Sequence, residues 1–217
     1  GKRAYLPTAA YVEPFIERMS KFTKDFIVEV ELPKQVTRTV DGDVNADDIT
    51  FFGLSSGASL AQNICLHILE NDMNLPMPKR LIMHSPTFRI PPTKEQMKEM
   101  ERLDKFDCII PACYMKEQDQ VMQRINLNNV EYMKSPIEYS WKGLPDMYII
   151  YGSYEVLIAE LPEAKEKAKM DGVVMKTYIG ERMMHTWAAA GFLPEAKEVR
   201  SNIYAVIRGD KDDSFLL

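Results

Sequence analysis

Apolar residues recur three and four positions apart at Val12, Phe15, Ile16, Met19 and Phe22, which predicts an amphipathic helix with Pro14 in its tolerant first turn. The run Phe26-Ile27-Val28-Glu29-Val30 is short and rich in β-branched and aromatic residues, and Pro33 follows it, so a buried strand is expected. Residues 40–48, with Asp41-Gly42, predict a turn. A second strand over residues 49–52 runs straight into Gly53. Residues 57–69 predict a helix whose apolar stripe is Leu60, Ile64 and Ile68, broken by residues 71–78. Residues 80–83 predict a third strand stopped by Ser85-Pro86, and a strand at 146–151, a charged helix at 159–170, a strand at 173–179 and a closing helix at 194–207 complete the series. Between Pro91 and Tyr139 the pattern changes to charged helical turns such as 94–104, which predicts a helical insertion over one end of a sheet.

Strands alternating with helices, with strands apolar on both faces, predict an α/β layer structure built on a mostly parallel sheet. The 217 residues suit one domain over 1–208, with 91–129 as its insertion and 209–217 as a polar tail. A balance of 27 basic against 32 acidic residues gives a net charge of −5 and no basic block, which argues against nucleic acid and anionic membrane surfaces. No run of about 18 apolar residues predicts a membrane span. Three cysteines, Cys65, Cys108 and Cys113, lack CxxC spacing, so neither a disulfide framework nor a zinc cluster is expected, and a cytoplasmic setting follows. Cys108 and Cys113 are expected to be buried thiols.

The sharpest chemical signal is Gly53-Leu54-Ser55-Ser56-Gly57, a G-x-S-x-G between a strand and a helix. A serine on such a tight turn needs small neighbours and holds its hydroxyl clear of the sheet. The Ser56 N–H then lies at a helix N-terminus, aimed where an oxyanion would develop. A phosphate-binding turn has a similar string and would assign no role to His185. A serine nucleophile needs a base, and His67, His84 and His185 compete for it. His67 is 12 residues along the same helix, roughly 18 Å away, and is out of reach. His84 closes a strand near the end of the sheet where ligands gather. His185 follows the last strand, and a chain order of Ser, acid, His favours it. Glu155, just past the strand at 146–151, is the natural carboxylate to orient the imidazole; Glu160, read as helix surface, and Asp171, read as a helix C-terminal turn residue, are the alternatives. Met183-Met184 and Trp187 suit either an apolar lining or plain core.

Over residues 15–207 the chain resembles the α/β-hydrolase fold, specifically the hormone-sensitive-lipase-like esterases. Gly53 to Ala61 is similar to that family's nucleophile elbow, Ser135-Pro136-Ile137 and Gly143-Leu144-Pro145 to its run into the acid strand, Gly152 to Leu157 to its acid turn, and Met184-His185-Thr186-Trp187 to its histidine loop. The resemblance implies a three-layer, mostly parallel sheet with helices on both faces and without the N-terminal strands. It implies Ser55 as nucleophile, His185 as general base and then acid, Glu155 as orienting carboxylate and Ser56 as an oxyanion donor. The implied activity is a serine carboxylesterase or lipase-like hydrolysis of short or medium acyl esters through an acyl-enzyme, with no metal and no other cofactor. A small-molecule ester is the expected partner, together with a homodimer.

Departures from the family pattern carry their own expectations. The family's His-Gly-Gly loop, which completes the oxyanion hole, has no counterpart here, and Ser55 comes only 22 positions after Pro33. Segments of a longer protein are therefore expected to be missing at the start and near 36–45. The alternative function is a hydrolase-like binding or scaffold protein with little or no turnover. Leu54 and Ala58 replace the usual Asp and Gly of the elbow.

Overall fold

A computed structural model describes residues 49–123 and 131–208. The helix and strand expected before residue 49, the turn at 40–48, the end of the 91–129 insertion and the tail at 209–217 lie outside the described residues. Four strands pair in the order β1 (Thr50–Leu54), β2 (Arg80–His84), β3 (Asp146–Gly152) and β4 (Met175–Gly180), every pair parallel. Helices α1 (Ser56–Glu70), α2 (Lys94–Leu103), α3 (Cys113–Gln123) and α4 (Leu161–Asp171) lie in the connections, and α5 (Pro194–Arg208) follows β4. Elements match the sequence expectation to within a few residues. The α4 region differs most, because its first turn is a separate 3-10 segment, Val156–Glu160, ahead of Pro162.

Strand alternation divides the core in two. Leu81, Met83, Met147, Ile149 and Tyr151 pack with Ala58, Ala61 and Cys65 of α1, Met100 and Leu103 of α2, and Ala164 and Ala168 of α4. Ile82, Tyr148 and Ile150 point the other way and meet Ala196, Val199, Ile203 and Val206 of α5. A monotonic strand order with right-handed crossovers puts the connecting helices on one face, so only an element outside the crossovers can cover the other. Arg80 ties that second layer down, its guanidinium donating to the Val206 carbonyl at 2.8 Å near the C-terminal end of α5.

Two expectations about burial change. The α1 residues in the main core cluster are Ala58, Ala61, Cys65 and Leu66; of the predicted stripe, Leu60 and Ile68 are buried outside that cluster and Ile64 is half-buried. Small side chains let the helix approach the sheet closely, and a search for large apolar residues overlooks them. β4, expected to be apolar on both faces, is half-exposed along most of its length, as an edge strand with Lys176, Thr177 and Tyr178 can be. No helix among the described residues is long and apolar enough to cross a membrane.

Candidate active site

A parallel sheet brings the loops after all its strands to one rim, and the three sequence-selected side chains meet there. Ser55 sits between β1 and α1 at φ 52°, ψ −122°, a backbone conformation that side chains with a Cβ rarely adopt. Its N–H extends the ladder by donating to the His84 carbonyl at 2.8 Å, while its own carbonyl accepts from Ala58 and Ser59. The turn is so tight that a Cβ on Gly53 would lie 2.3 Å from the Gly57 carbonyl oxygen, which explains the first glycine of the motif. Ser56 opens α1, where helical geometry leaves its N–H without an intrahelical acceptor.

His185 arrives from the loop after β4, and its Nε2 lies 2.9 Å from Ser55 Oγ. On the other side of the ring, Nδ1 faces Glu155 Oε1 at 3.5 Å, and neither atom has a closer hydrogen-bond partner. Glu155 is wholly buried and His185 nearly so, while Ser55 is only half-buried. The chain of groups therefore opens to solvent at its hydroxyl end. The other carboxylate oxygen, Oε2, accepts from the Gly152 N–H at 2.7 Å and from the Ser85 hydroxyl at 2.8 Å. Burial pushes the Glu155 carboxyl above its usual range, opposed by the His185 contact and then by the donors from Gly152 and Ser85.

The acid turn and the histidine loop are fastened together. Tyr154 N–H donates to the Met183 carbonyl, Ser153 N–H to the Gly180 carbonyl, and Arg182 N–H to the Ser153 hydroxyl. A Cβ on Gly152 would stand 2.0 Å from the Met183 carbonyl oxygen, so the loops touch backbone to backbone. Trp187 is buried below them and donates from its indole to the Tyr151 carbonyl at 3.1 Å.

The rival residues occupy other places. His84 is fully buried, edge-on to Trp187, and burial together with the nearby His185 lowers its pKa to about 3, so it stays a neutral core histidine. His67 contacts the Tyr132 hydroxyl far along α1. Glu160 is not on a helix surface: it is buried and accepts from the Phe88 and Arg89 N–H groups and the Thr87 hydroxyl, bracing the loop after β2. Asp171 ends α4, accepting from the Trp141 N–H and pairing with Lys167. Cys108 and Cys113 are exposed rather than buried, and Cys108 Sγ lies 3.0 Å from Met184 Sδ, beside the histidine loop.

Sequence reasoning missed Ser85 and Asp107. Asp107 accepts from the Val156 N–H next to Glu155, and from Ile109 and Ile110. An open groove of about 540 Å³ between α2 and α3, lined by Pro91, Met97 and Met115 among others, contains none of Ser55, Glu155 or His185. Among the described residues no cluster of His, Cys, Asp or Glu is suited to a metal ion.

Comparison with known proteins agrees with this architecture. Residues 30–189 match the family described as the alpha/beta hydrolase fold. No curated protein gives a significant match. Among solved structures, an esterase from the bacterial hormone-sensitive lipase family superposes with a TM-score of 0.66 at 21% identity, covering 76% of this chain and 54% of its own. EstE7, a hormone-sensitive-lipase homologue from a metagenome library, gives 0.67 at 25% identity, with 80% and 57% coverage. EstE5, soaked with p-nitrophenyl butyrate, gives 0.64 at 26% identity, with 80% and 57% coverage. The chain thus spans little more than half the length of these structures. A parallel sheet with a serine elbow at its rim and a family match across most of the length have one reading: the chain belongs to the α/β-hydrolase fold family, and its similar solved structures include members of the hormone-sensitive lipase family.

Proposed function

We propose that this chain carries the catalytic centre of a serine carboxylesterase acting on short or medium acyl esters. The single observation that supports the reading most is the 2.9 Å approach of His185 Nε2 to the Ser55 hydroxyl, with Nδ1 turned to a buried carboxylate. His185 takes the Ser55 proton as the oxygen attacks the ester carbonyl, and Glu155 stabilises the resulting imidazolium. The Ser56 N–H donates to the oxyanion. Collapse of the tetrahedral adduct, with His185 returning the proton to the departing alkoxide, releases the alcohol and leaves an acyl-Ser55. Water, deprotonated by His185, then releases the acid. This sequence calls for neither metal nor organic cofactor. A cytoplasmic setting fits the three free cysteines.

The test uses p-nitrophenyl butyrate turnover and a fluorophosphonate label. The label is expected on Ser55, and Ser55→Ala is expected to abolish both label and turnover. His185→Ala should match it, whereas His84→Ala should keep the label. Labelling that survives in Ser55→Ala removes the nucleophile assignment. A well-folded chain that neither labels nor turns over supports the binding or scaffold alternative.

A further inference from the structure

Ser85 ends the strand β2 connection at the same rim, is completely buried, and holds a left-handed φ of 54°. Its N–H donates to the Ile150 carbonyl at 2.8 Å, so its backbone is fixed by the sheet. Its hydroxyl makes two bonds of different kinds. It donates to Glu155 Oε2 at 2.8 Å and accepts from the Thr186 N–H at 3.0 Å. Thr186 directly follows His185 and is itself left-handed, at φ 53°. One hydroxyl therefore bridges the carboxylate and the peptide that carries the imidazole.

This bridge does what the Gly152 N–H alone cannot. Gly152 fastens Oε2 to its own turn, but only Ser85 fastens it to the histidine loop. With Oε2 doubly occupied, Oε1 is the oxygen left for Nδ1, which fixes the carboxylate plane and the tautomer that leaves Nε2 free to accept a proton. Glycine suits a left-handed backbone better than serine does, so the backbone at residue 85 gives no reason for a hydroxyl, and its two bonds do. Building on the hydrolase reading, we propose that Ser85 is a positioning residue that sets the Glu155–His185 geometry without touching substrate. The titratable groups around this cluster are His185, His84 and Tyr151, the last two wholly buried.

Ser85→Ala and Ser85→Gly test the proposal together. The glycine variant relieves the left-handed backbone, so it removes the hydroxyl with little risk to folding. Both are expected to lower kcat for p-nitrophenyl butyrate by about 10-fold to 100-fold, the scale of a small misplacement of catalytic groups, with KM within about twofold. Proton NMR supplies a readout independent of turnover: the far-downfield His185 Nδ1–H resonance, held by Glu155, is expected to move upfield or broaden away in both variants. An unchanged kcat and resonance in Ser85→Gly overturns the proposal, and so does a fall in kcat with the resonance unmoved. A wild-type chain that is not labelled at Ser55, but whose resonance responds to Ser85→Gly, loses the hydrolase reading and keeps the positioning role.

Discussion

At Glu155 two tendencies compete inside a single side chain. Burial favours the neutral acid, whereas His185, the Gly152 N–H and the Ser85 hydroxyl favour the carboxylate. An orienting group has to keep its charge to support an imidazolium, so the donors matter as much as the carboxylate itself. Glu155→Gln preserves shape and retains an acceptor for Gly152, but it removes the charge and can present an amide N–H to Nδ1. The expected loss in kcat is about 10⁴-fold with little change in KM, the scale seen when a triad carboxylate becomes an amide. Steady-state kinetics check it, and a loss under tenfold would assign the orienting role elsewhere. Ser55, Glu155 and His185 were legible in the sequence because each lies just beyond a strand and within a recognisable string. Ser85 lies just beyond a strand too, but Ser85-Pro86 signals only a stop. Its role depends on a left-handed φ and on where a hydroxyl points, and no spacing encodes either.

The elements around the site are braced by buried groups that the hydrophobic pattern cannot report. Glu160 ends the 3-10 segment Val156–Glu160 and holds the loop of Thr87, Phe88 and Arg89. Charge made it look like helix surface, yet complete burial raises its pKa to about 8, burial outweighing the donors from Phe88, Arg89 and Thr87. A carboxyl whose pKa is higher folded than unfolded favours the fold while protonated. That contribution is full below about pH 4.5, the unfolded value, and is lost as pH rises through about 8. Glu160→Gln keeps an acceptor for the loop without a charge, so it is expected to flatten this dependence. At pH 9 the variant should be more stable than wild type by roughly 3 kcal/mol, a fraction of the full linkage, and near equal to it at pH 4. Chemical denaturation at the two pH values measures this, and equal stability at pH 9 would show that the donors outweigh burial. Glycines at contact points are a second brace. Gly152→Ala drives a Cβ into the Met183 carbonyl and is expected to cost about 2–4 kcal/mol, whereas Gly172→Ala, open to solvent at φ 72°, should cost only about 1 kcal/mol.

Across the whole molecule, the order of strands and helices was readable because hydrophobic runs, glycine turns and charged helices alternate. The division of labour between the two faces was not, since it depends on strand order and crossover hand. That division places the histidine loop against the α5 layer: Trp187, two residues after His185, belongs to the same core as Val199 and Ile203, and its indole N–H reaches the Tyr151 carbonyl on β3, the strand leading to Glu155. The layer thus supports the fold broadly and the histidine loop through Met183, Met184, Trp187 and Ala188, of which Trp187 also reaches β3. Ile203→Ala removes buried methyl groups far along α5 and is expected to cost about 2–5 kcal/mol, with kcat unchanged wherever the chain stays folded. Trp187→Phe keeps most of the buried aromatic surface but removes the indole's hydrogen bond to the Tyr151 carbonyl, at about 1 kcal/mol. It is nevertheless expected to lower kcat by about tenfold or more, because the loop carrying His185 loses the one side-chain tie, beside its backbone bonds, that runs from Trp187 to the acid strand. Urea unfolding and kinetics on both variants separate the two effects. If kcat instead followed stability, falling more in Ile203→Ala than in Trp187→Phe, the site would depend on the α5 layer as a whole and not on the indole that ties it to β3.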